Sequence, residues 1–467
     1  MRSAEPPRLS PREVVGSGLC IGCGSCASGS GPEGRAMRWD KFGQLKPHGP
    51  QEWYRSRSAQ FASICPFSPH ARDEDAIAAE RFPVVRHVDH RVGRFEAAWV
   101  GHAEQEGFRA EGSSGGLVSW VAVELLARGL VDGVAHVGAA DPAREGRHFA
   151  YRISRSLAEV RQNAKSRYYP IELSGVLDTI REQPGRYAVI GVPCFIKAVH
   201  LARAADPVLA ERIVFTLGLY CGHMKSAAMI DSFALQMGVE PPAVEAVDFR
   251  LKNPDRPANW YRTQLRLAGG GAAEQDWWHL VEGDWGSGFF QNSACNFCDD
   301  VVAETADISF GDAWVEPYSS DGRGTNVVVV RSQELRAMVE EGIAEQRLTL
   351  REVDAEFVVE TQAAGFRQRR EGLAYRLARR RGGLMPRKRV APAASDLPLR
   401  RRAIYTMRAA ISAFSHRAFR FANLVHVPRL YFSAGRQLLK LYQALTYSRG
   451  RLGALFDRLE KGRGQGA

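Results

Sequence analysis

The stretch Tyr187-Ala188-Val189-Ile190-Gly191-Val192-Pro193-Cys194 decides the fold of this 467-residue chain. Its apolar, β-branched residues predict a buried strand, and the proline after them suits the first position of a helix. A second predicted strand, at 213–220, likewise has a cysteine, Cys221, directly after it. Open α/β sheets bind ligands at the carboxyl ends of their strands, so the sequence predicts that these two thiols share one edge of a sheet.

Strands and helices alternate on both sides of this pair. Further strands are predicted at 97–103, 131–138, 247–251, 262–267, 306–310 and 326–330, and helices at 117–128, 172–181 and 226–237. This order predicts a mixed α/β protein with α+β elements, whose sheet is at least partly parallel. The predicted division is a ferredoxin-like segment at 10–80, a central α/β domain at 92–355 and a basic helical tail at 366–467.

The eight cysteines sort into two sets of four. The first set is Cys20, Cys23, Cys26 and Cys65; the second is Cys194, Cys221, Cys295 and Cys298. Three cysteines at successive two-residue intervals, with a distant Cys-Pro, resemble the runs that supply thiolates to 4Fe-4S clusters. Ser30 stands where such a run would feed a second cluster, so the first set predicts one cluster.

Other uses of these cysteines stay open. Two zinc sites of four thiolates each would use the same residues, and the isolated Cys194 and Cys221 could be ordinary buried thiols. Disulfides are not expected, because residues 1–10 contain Pro, Arg and Glu where a secretory signal would have an apolar core.

A loop between a predicted strand and helix suits the phosphate of a nucleotide. It contains Ser113, Ser114, Gly115 and Gly116. Glycines allow close approach of the backbone, hydroxyls can donate, and a helix amino end favours an anion. A second loop adds Asn163, Lys165 and Arg167 beside two tyrosines, which fits a phosphate and a stacked ring. A plain capped turn and a solvated charged loop are the alternatives.

Two more polar residues lie near the cysteines of the second set. Asp312 ends a predicted strand shortly after Cys298, where it could contact a ribose hydroxyl or a flavin edge, or cap a turn. His223 follows Cys221 and is the candidate for a catalytic proton donor, with a structural role as the alternative.

Charge is distributed unevenly along the chain. The formal net charge of +11 divides into −9 for residues 1–365 and +20 for residues 366–467. The sequence contains no run of about 18 apolar residues, so it predicts no membrane-spanning helix. In the tail, Ile404, Met407, Ile411 and Phe414 recur at helical spacing among arginines. This pattern is typical of an amphipathic helix on an anionic membrane or of a docking segment for a protein; no nucleic-acid motif is present.

These landmarks together resemble the coenzyme F420 hydrogenase/dehydrogenase beta-subunit family over residues 15–350. The resemblance implies a flavoprotein with FAD beside a 4Fe-4S cluster on the second cysteine set, and a further cluster in the amino-terminal segment. It also implies that residues 113–116 and Lys165 lie against the flavin. Members differ in what they reduce, so the deazaflavin of the family name does not follow for this chain.

The sequence therefore predicts an oxidoreductase with two 4Fe-4S clusters and FAD. Electrons would pass from a ferredoxin-like donor through the clusters to the flavin, which joins one-electron deliveries into a two-electron reduction of an organic substrate. The alternatives are an electron-relay beta subunit of a hydrogenase or dehydrogenase that uses coenzyme F420, a redox protein of surface-polysaccharide biosynthesis, and a zinc-stabilised scaffold. The expected location is the cytoplasm, with an option of peripheral attachment to the inner face of the membrane.

Overall fold

The computed structural model describes residues 6–29, 34–395 and 397–464, with side chains up to Arg458. The predicted role of Ser30 therefore lies outside the described residues.

The amino-terminal segment begins with a helix whose start is encoded locally. The Ser10 side chain accepts from the Glu13 amide, and the Glu13 carboxylate accepts from the Ser10 amide at 3.0 Å. The elements here are α1 Pro11–Gly16, β1 Ala36–Trp39, β2 Leu45–His48, α2 Gln51–Arg55, α3 Ala59–Ile64, α4 Glu74–Arg81, β3 His87–Asp89 and β4 Gly93–Phe95.

The central region alternates strands and helices, as predicted. Its first half contains β5 Ala97–Ala103, α5 Phe108–Glu111, α6 Leu117–Ala127, β6 Gly133–Ala139, α7 Pro142–Glu145, β7 Phe149–Ser154, α8 Leu157–Gln162 and α9 Ser174–Glu182. Its second half contains β8 Tyr187–Gly191, α10 Pro193–Ala205, α11 Pro207–Arg212, β9 Ile213–Leu219, α12 Ala228–Gln236, β10 Val244–Leu251, β11 Arg262–Leu267, β12 Ala272–Asp276, β13 Ile308–Asp312, β14 Asn326–Val330, α13 Gln333–Ala344 and β15 Leu348–Glu352.

Eight of these strands form one mixed sheet in the order β15-β5-β14-β13-β9-β8-β6-β7. The four strands β13, β9, β8 and β6 run parallel, and antiparallel strands complete both edges. The prediction of a mixed α/β fold with a partly parallel sheet is confirmed. In the register of β8 and β9, Gly191 pairs with Gly218, so Cys194 and Cys221 each lie three residues beyond a paired glycine.

Three strands of the central region were absent from the sequence-based prediction. They are β7, β12 and β15, and each is an outer strand of its sheet. Strands β12 (Ala-Ala-Glu-Gln-Asp) and β15 (Leu-Thr-Leu-Arg-Glu) have mostly exposed or half-buried residues. An edge strand obtains its order from pairing with a neighbour, so its sequence need not carry the apolar alternation of a buried strand.

The carboxyl-terminal region is helical, as predicted. It consists of α14 Ala355–Thr361, α15 Ala363–Arg369, α16 Glu371–Ala378, α17 Leu399–Leu424, α18 Pro428–Tyr447 and α19 Gly450–Gly464. Ile404 and Ile411 of α17 are buried in one apolar cluster with Phe233 and Trp277 of the central region, and Met407 and Phe414 pack against that cluster. The apolar face predicted to meet lipid or a partner is therefore covered by the chain itself. Of the helices in the described ranges, none is long and apolar enough to cross a bilayer.

Candidate functional site

The first cysteine set lies between α1 and the end of α3. Cys20, Cys23 and Cys26 follow one another in a tight loop, and Cys65 ends α3. The loop depends on glycine: Gly22 and Gly24 have φ of +83° and +82°, a backbone region that side chains with a Cβ rarely adopt. All four cysteines line a single apolar cavity together with Leu19, Ile21, Phe61 and Phe67.

Burial raises the pKa of three of these thiols, Cys23, Cys26 and Cys65. It raises the pKa of Cys65 to about 12, although the backbone amides of Phe67 and Ser68 act in the opposite direction. Burial also raises the pKa of Cys23, and the nearby Cys65 and Cys20 raise it further. Four crowded thiols, of which Cys23 is buried and the other three are half-buried, ionise together only if a cation replaces their protons. Thiolates are the ligands that zinc and iron-sulfur clusters use.

The second cysteine set lies at the carboxyl edge of the parallel strands. Cys194 is in the first turn of α10 and Cys221 follows β9; Cys295 and Cys298 come from the 3-10 turn Ser293–Phe297 and its end. Burial raises the pKa of Cys194, and the other three cysteines of the set raise it further. The structure thus brings the four predicted residues together from three separate segments.

Hydrogen-bond donors point at two of these sulfurs. The backbone N–H of Met224 donates to Cys295 Sγ at 3.3 Å, and the Arg369 guanidinium donates to Cys298 Sγ at 2.8 Å. Arg369 also donates to the carbonyls of Cys221 and Gly222, at 2.5 and 2.8 Å. Burial by itself would lower the pKa of Arg369, but the negative charge that Cys298, Cys221 and Cys295 carry when ionised raises it.

The two cysteine sets adjoin one another. Cys23 of the first set raises the pKa of Cys194 in the second, and both cysteines raise the pKa of Tyr151, which burial alone already raises. Seven of the eight cysteines, all except Cys221, belong to or border one apolar cluster that includes Phe67, Tyr151 and Phe195. In the part of the chain that the structure describes, no three His, Cys, Asp or Glu side chains are grouped as a site for a single metal ion.

The predicted phosphate loop precedes α6. Gly116, with φ of +83°, begins the helix, and Leu117 N donates to the Asn326 side chain at 3.2 Å. The Ser113 hydroxyl accepts from the Ser166 amide at 2.8 Å, which joins the two predicted loops. The Ser114 hydroxyl donates to Thr325 O at 2.9 Å. The loop is therefore held in place by its own hydroxyl groups, and Gly115 lies against Asn326 and Gly101 O.

Cations surround this loop. Lys252 donates to the carbonyl of Ser114 at 2.7 Å and to that of Arg109, and Lys165 pairs with Asp248 at 3.1 Å. Burial lowers the pKa of Lys252 to about 7, and the nearby Lys165, Arg250 and Arg109 lower it further. A bound anion would relieve the repulsion among these cations.

Asp312 lies in the same neighbourhood, paired with a cation. Arg250 donates to both of its carboxylate oxygens, at 3.0 and 3.1 Å. The Arg250 guanidinium lies over the ring of Tyr261, 4.4 Å from its centroid, and 5.8 Å from that of Trp314. Asp312 therefore forms an ion pair with Arg250, whose guanidinium lies beside Tyr261 and Trp314. This contact differs from the capped turn that was one of the predictions for Asp312.

Two predicted residues make their contacts elsewhere. Asn163 ends α8, where its amide donates to Glu159 O at 3.0 Å. The Arg167 guanidinium lies 5.0 Å from the centroid of Phe149, and burial lowers its pKa to about 10. Of the two cations predicted in this loop, Lys165 is the one that lies near Lys252.

Comparison with known families assigns these residues to one group of proteins. The family model for the carboxyl-terminal part of the coenzyme F420 hydrogenase/dehydrogenase beta subunit matches residues 185–356. The model for the amino-terminal part of the same beta subunit matches residues 98–178, so the two matches cover more than half of the chain. The chain belongs to the coenzyme F420 hydrogenase/dehydrogenase beta-subunit family. The resemblance seen in the sequence is thereby confirmed, and with it an oxidoreductase, electron-transfer class of protein.

A solved structure and a search of curated proteins complete the comparison. A chain of the F420-reducing [NiFe] hydrogenase complex from Methanosarcina barkeri is 15% identical; the match covers 63% of this chain and 96% of that chain, with a TM-score of 0.48. No curated protein matches this beta-subunit family member.

The family match contains the second cysteine set, the phosphate loop, Lys165 and Asp312. It does not contain residues 20–65 of the first set, or Arg369, which lies beyond residue 356. Sequence reasoning missed Arg369, Lys252, Arg250 and Arg109. For Arg369 no signal distinguishes it from neighbouring arginines in a basic segment, whereas Arg250 and Lys252 sit at the end of a predicted strand, where a ligand contact is common.

The predicted proton donor is buried beside the second cysteine set. The ring of His223 stacks on Trp285 with centroids 4.4 Å apart, and its Nδ1 is 3.3 Å from Arg408. Burial, and then Lys225 and Arg408, hold the pKa of His223 well below its usual range, so the imidazole is neutral near pH 7. Its catalytic role stays a prediction.

Proposed function

We propose that this beta-subunit family member is an iron-sulfur flavoprotein oxidoreductase. Electrons from a ferredoxin-like donor would pass through two 4Fe-4S clusters to FAD and on to an organic substrate. The observation that carries the proposal is the convergence of eight cysteines from five segments of the chain into two adjoining groups of four.

The first cluster would be held by Cys20, Cys23, Cys26 and Cys65. The fit rests on the donor set: four thiols line one apolar cavity, and backbone amides point toward Cys65. The chain would exclude water there with Leu19, Ile21 and Phe61, because these side chains border the same cavity. Clusters bound by four cysteines supply one-electron transfer.

The second cluster would be held by Cys194, Cys221, Cys295 and Cys298. The Met224 amide and the Arg369 guanidinium would stabilise negative charge on the sulfurs, since both already donate to them. Cys23 and Cys194 would lie where the two groups adjoin, because the charge of Cys23 raises the pKa of Cys194.

FAD would lie along the phosphate loop. Lys252, Lys165 and Arg109 would neutralise its pyrophosphate. The fit rests on the repulsion among these cations, which lowers the pKa of Lys252 although Asp248 pairs with Lys165 and Asp321 with Arg109. The pair of Arg250 and Asp312, which borders Tyr261 and Trp314, would orient the remainder of the cofactor. Bound FAD supplies the change from one-electron to two-electron transfer.

The test is metal and sulfide analysis of the full-length protein purified without oxygen. We expect about eight iron and eight acid-labile sulfide per chain, with a visible spectrum that contains flavin bands and a broad iron-sulfur shoulder. Cys194→Ser and Cys295→Ser should each remove one cluster and leave the other, whereas Ser25→Ala, beside the first set, should leave iron unchanged. A colourless protein with about two zinc ions would replace the proposal by the zinc interpretation.

A further inference from the structure

The turn between α17 and α18 exposes a group of large apolar side chains. Phe421 and Leu424 lie in the last turn of α17, Val425 and Val427 in the connection, and Leu430 in the first turn of α18. Their exposed fractions are 58%, 74%, 40%, 43% and 52%. We call these five residues the hairpin tip. Scattered exposed apolar residues are common, whereas five of them within residues 421–430, around a single turn, indicate an interaction surface.

The rest of the hairpin is packed against the body of the protein, which fixes the position of the tip. Ile411, Phe419 and Ala422 of α17 and Tyr431 of α18 are at most 2% exposed and belong to the apolar cluster of the central region. The Ser415 hydroxyl accepts from the Phe290 amide at 2.8 Å, and the Tyr431 hydroxyl donates to the buried Glu282 at 2.7 Å. The tip therefore lies at the end of a helical hairpin that is packed and hydrogen-bonded to the body of the protein.

Cations flank the tip without acidic partners. Arg417 and Arg420 precede Phe421, Arg429 precedes Leu430, and all three are exposed. Within the described residues none of them forms an ion pair. From Leu397 to Phe456 the sequence has eleven Arg and Lys residues and no Asp or Glu. This contrasts with the net charge of −9 in residues 1–365.

We propose that the hairpin tip docks on the surface of an anionic lipid bilayer. The five apolar side chains would enter the boundary between head groups and acyl chains, and the three arginines would contact lipid phosphates. This chemistry is that of an interfacial segment, in which apolar burial and attraction to anionic lipid act together. A helix that fits a protein groove would instead place its anchors along one face, and here that face of α17 is already buried. The proposal goes beyond the proposed electron transfer and does not depend on which cofactors bind.

The test is sedimentation of the full-length protein with vesicles at low salt. We expect binding to phosphatidylserine-containing vesicles, little binding to phosphatidylcholine alone, and loss of binding as salt rises. The variant Arg417→Gln/Arg420→Gln/Arg429→Gln should partition on the order of a hundredfold more weakly. The variant Phe421→Ser/Leu424→Ser/Leu430→Ser should lose binding even at low salt.

Matched controls use equally exposed residues away from the tip. Val84 and Val88 are 77% and 68% exposed, and Arg38, Arg55 and Arg266 are exposed. The variants Val84→Ser/Val88→Ser and Arg38→Gln/Arg55→Gln/Arg266→Gln should bind vesicles as the wild type does. If the tip variants also bind like the wild type, the proposal fails. It fails equally if sedimentation velocity shows that the tip instead joins two copies of the chain in the absence of lipid.

Discussion

At the scale of single residues, Arg369 of the basic carboxyl-terminal segment contacts a cysteine sulfur of the second set. Arg369 is 3% exposed and reaches Cys298 Sγ, whereas Arg367, two residues earlier, is exposed. A positive charge and a hydrogen bond at a ligand sulfur stabilise the more negative, reduced form of a bound cluster, so they raise its reduction potential.

Arg369→Met should lower the reduction potential of the proposed second cluster. A hydrogen bond to a charged group contributes about 1.5 to 3 kcal/mol, which corresponds to roughly 60 to 130 mV for one electron. The measurement is a redox titration followed by electron paramagnetic resonance, on protein whose iron content equals that of the wild type. Arg369→Lys should give an intermediate shift and Arg367→Gln none. A potential that does not move in Arg369→Met would show that the contact leaves the cluster's redox energy unchanged.

Lys252 makes the proposed anion site sensitive to pH. Its folded pKa of about 7 lies below the ordinary lysine value because of burial and because Lys165, Arg250 and Arg109 face it, with Asp312 acting in the opposite direction. The lysine is therefore charged below about pH 7 and neutral above it. A bound anion favours the charged form, so binding above that pH requires the uptake of a proton.

The affinity of the FAD-depleted protein for FAD should thus weaken as pH rises above about 7, by up to about tenfold per pH unit. Lys252→Met should bind more weakly and with a flatter pH profile, while Lys165→Met should bind more weakly but keep the slope. Quenching of flavin fluorescence measures both quantities. A steep profile that survives in Lys252→Met would assign the proton to another group.

At the scale of elements, an irregular segment after α16 fastens the loop that contains Cys298. Lys388 pairs with Asp299 at 3.1 Å, and both side chains are at most 4% exposed. The Arg389 amide donates to Asp299 at 3.1 Å, and its guanidinium donates to Glu304 at 2.8 Å. Burial alone would raise the pKa of Asp299, but Lys388 and Arg389 hold it far below its usual range. The carboxylate therefore stays charged next to a cysteine of the second set.

Lys388→Met should destabilise the protein, because the buried Asp299 loses its closer ion-pair partner and keeps only Arg389, whose Nε lies 3.4 Å away. Loss of one partner from a buried pair costs about 3 to 5 kcal/mol. The matched control is its neighbour Arg387, which is 65% exposed and lies 3.6 Å from Asp73; Arg387→Met should cost no more than about 1 kcal/mol. Guanidinium unfolding followed by tryptophan fluorescence compares the two variants. Equal midpoints would mean that the buried pair contributes little.

At the scale of the whole molecule, the basic carboxyl-terminal region and the acidic body are partly matched to each other. Lys388 and Arg389 pair with acidic residues of the central region, and Arg408 is buried near His223 and Gln291. Exposed cations of α17 and α18, among them Arg417, Arg420 and Arg429, lie on either side of the hairpin tip. Some cations of the carboxyl-terminal region are thus buried in ion pairs with the central region. Others are exposed and available to an anionic surface.

The sequence by itself determined the local structure and the residue types at the candidate site. The strands β5, β8, β9, β11 and β14 and the helix after Pro193 follow from local periodicity and turn chemistry. The position of Cys194 and Cys221 directly after parallel strands was also readable, because the end of a strand fixes the edge of the sheet where the next residue lies.

The tertiary structure alone decided which distant side chains meet. Nothing in the basic segment singles out Arg369 or Lys388, because a buried ion pair depends on a partner remote in sequence, such as Asp299, and not on local pattern. Likewise, the apolar face of α17 could be recognised from its spacing, but its partner could not. Burial against the body covers that face and leaves the hairpin tip exposed, because the hydrophobic effect has no direction and favours whichever apolar surface the fold brings near.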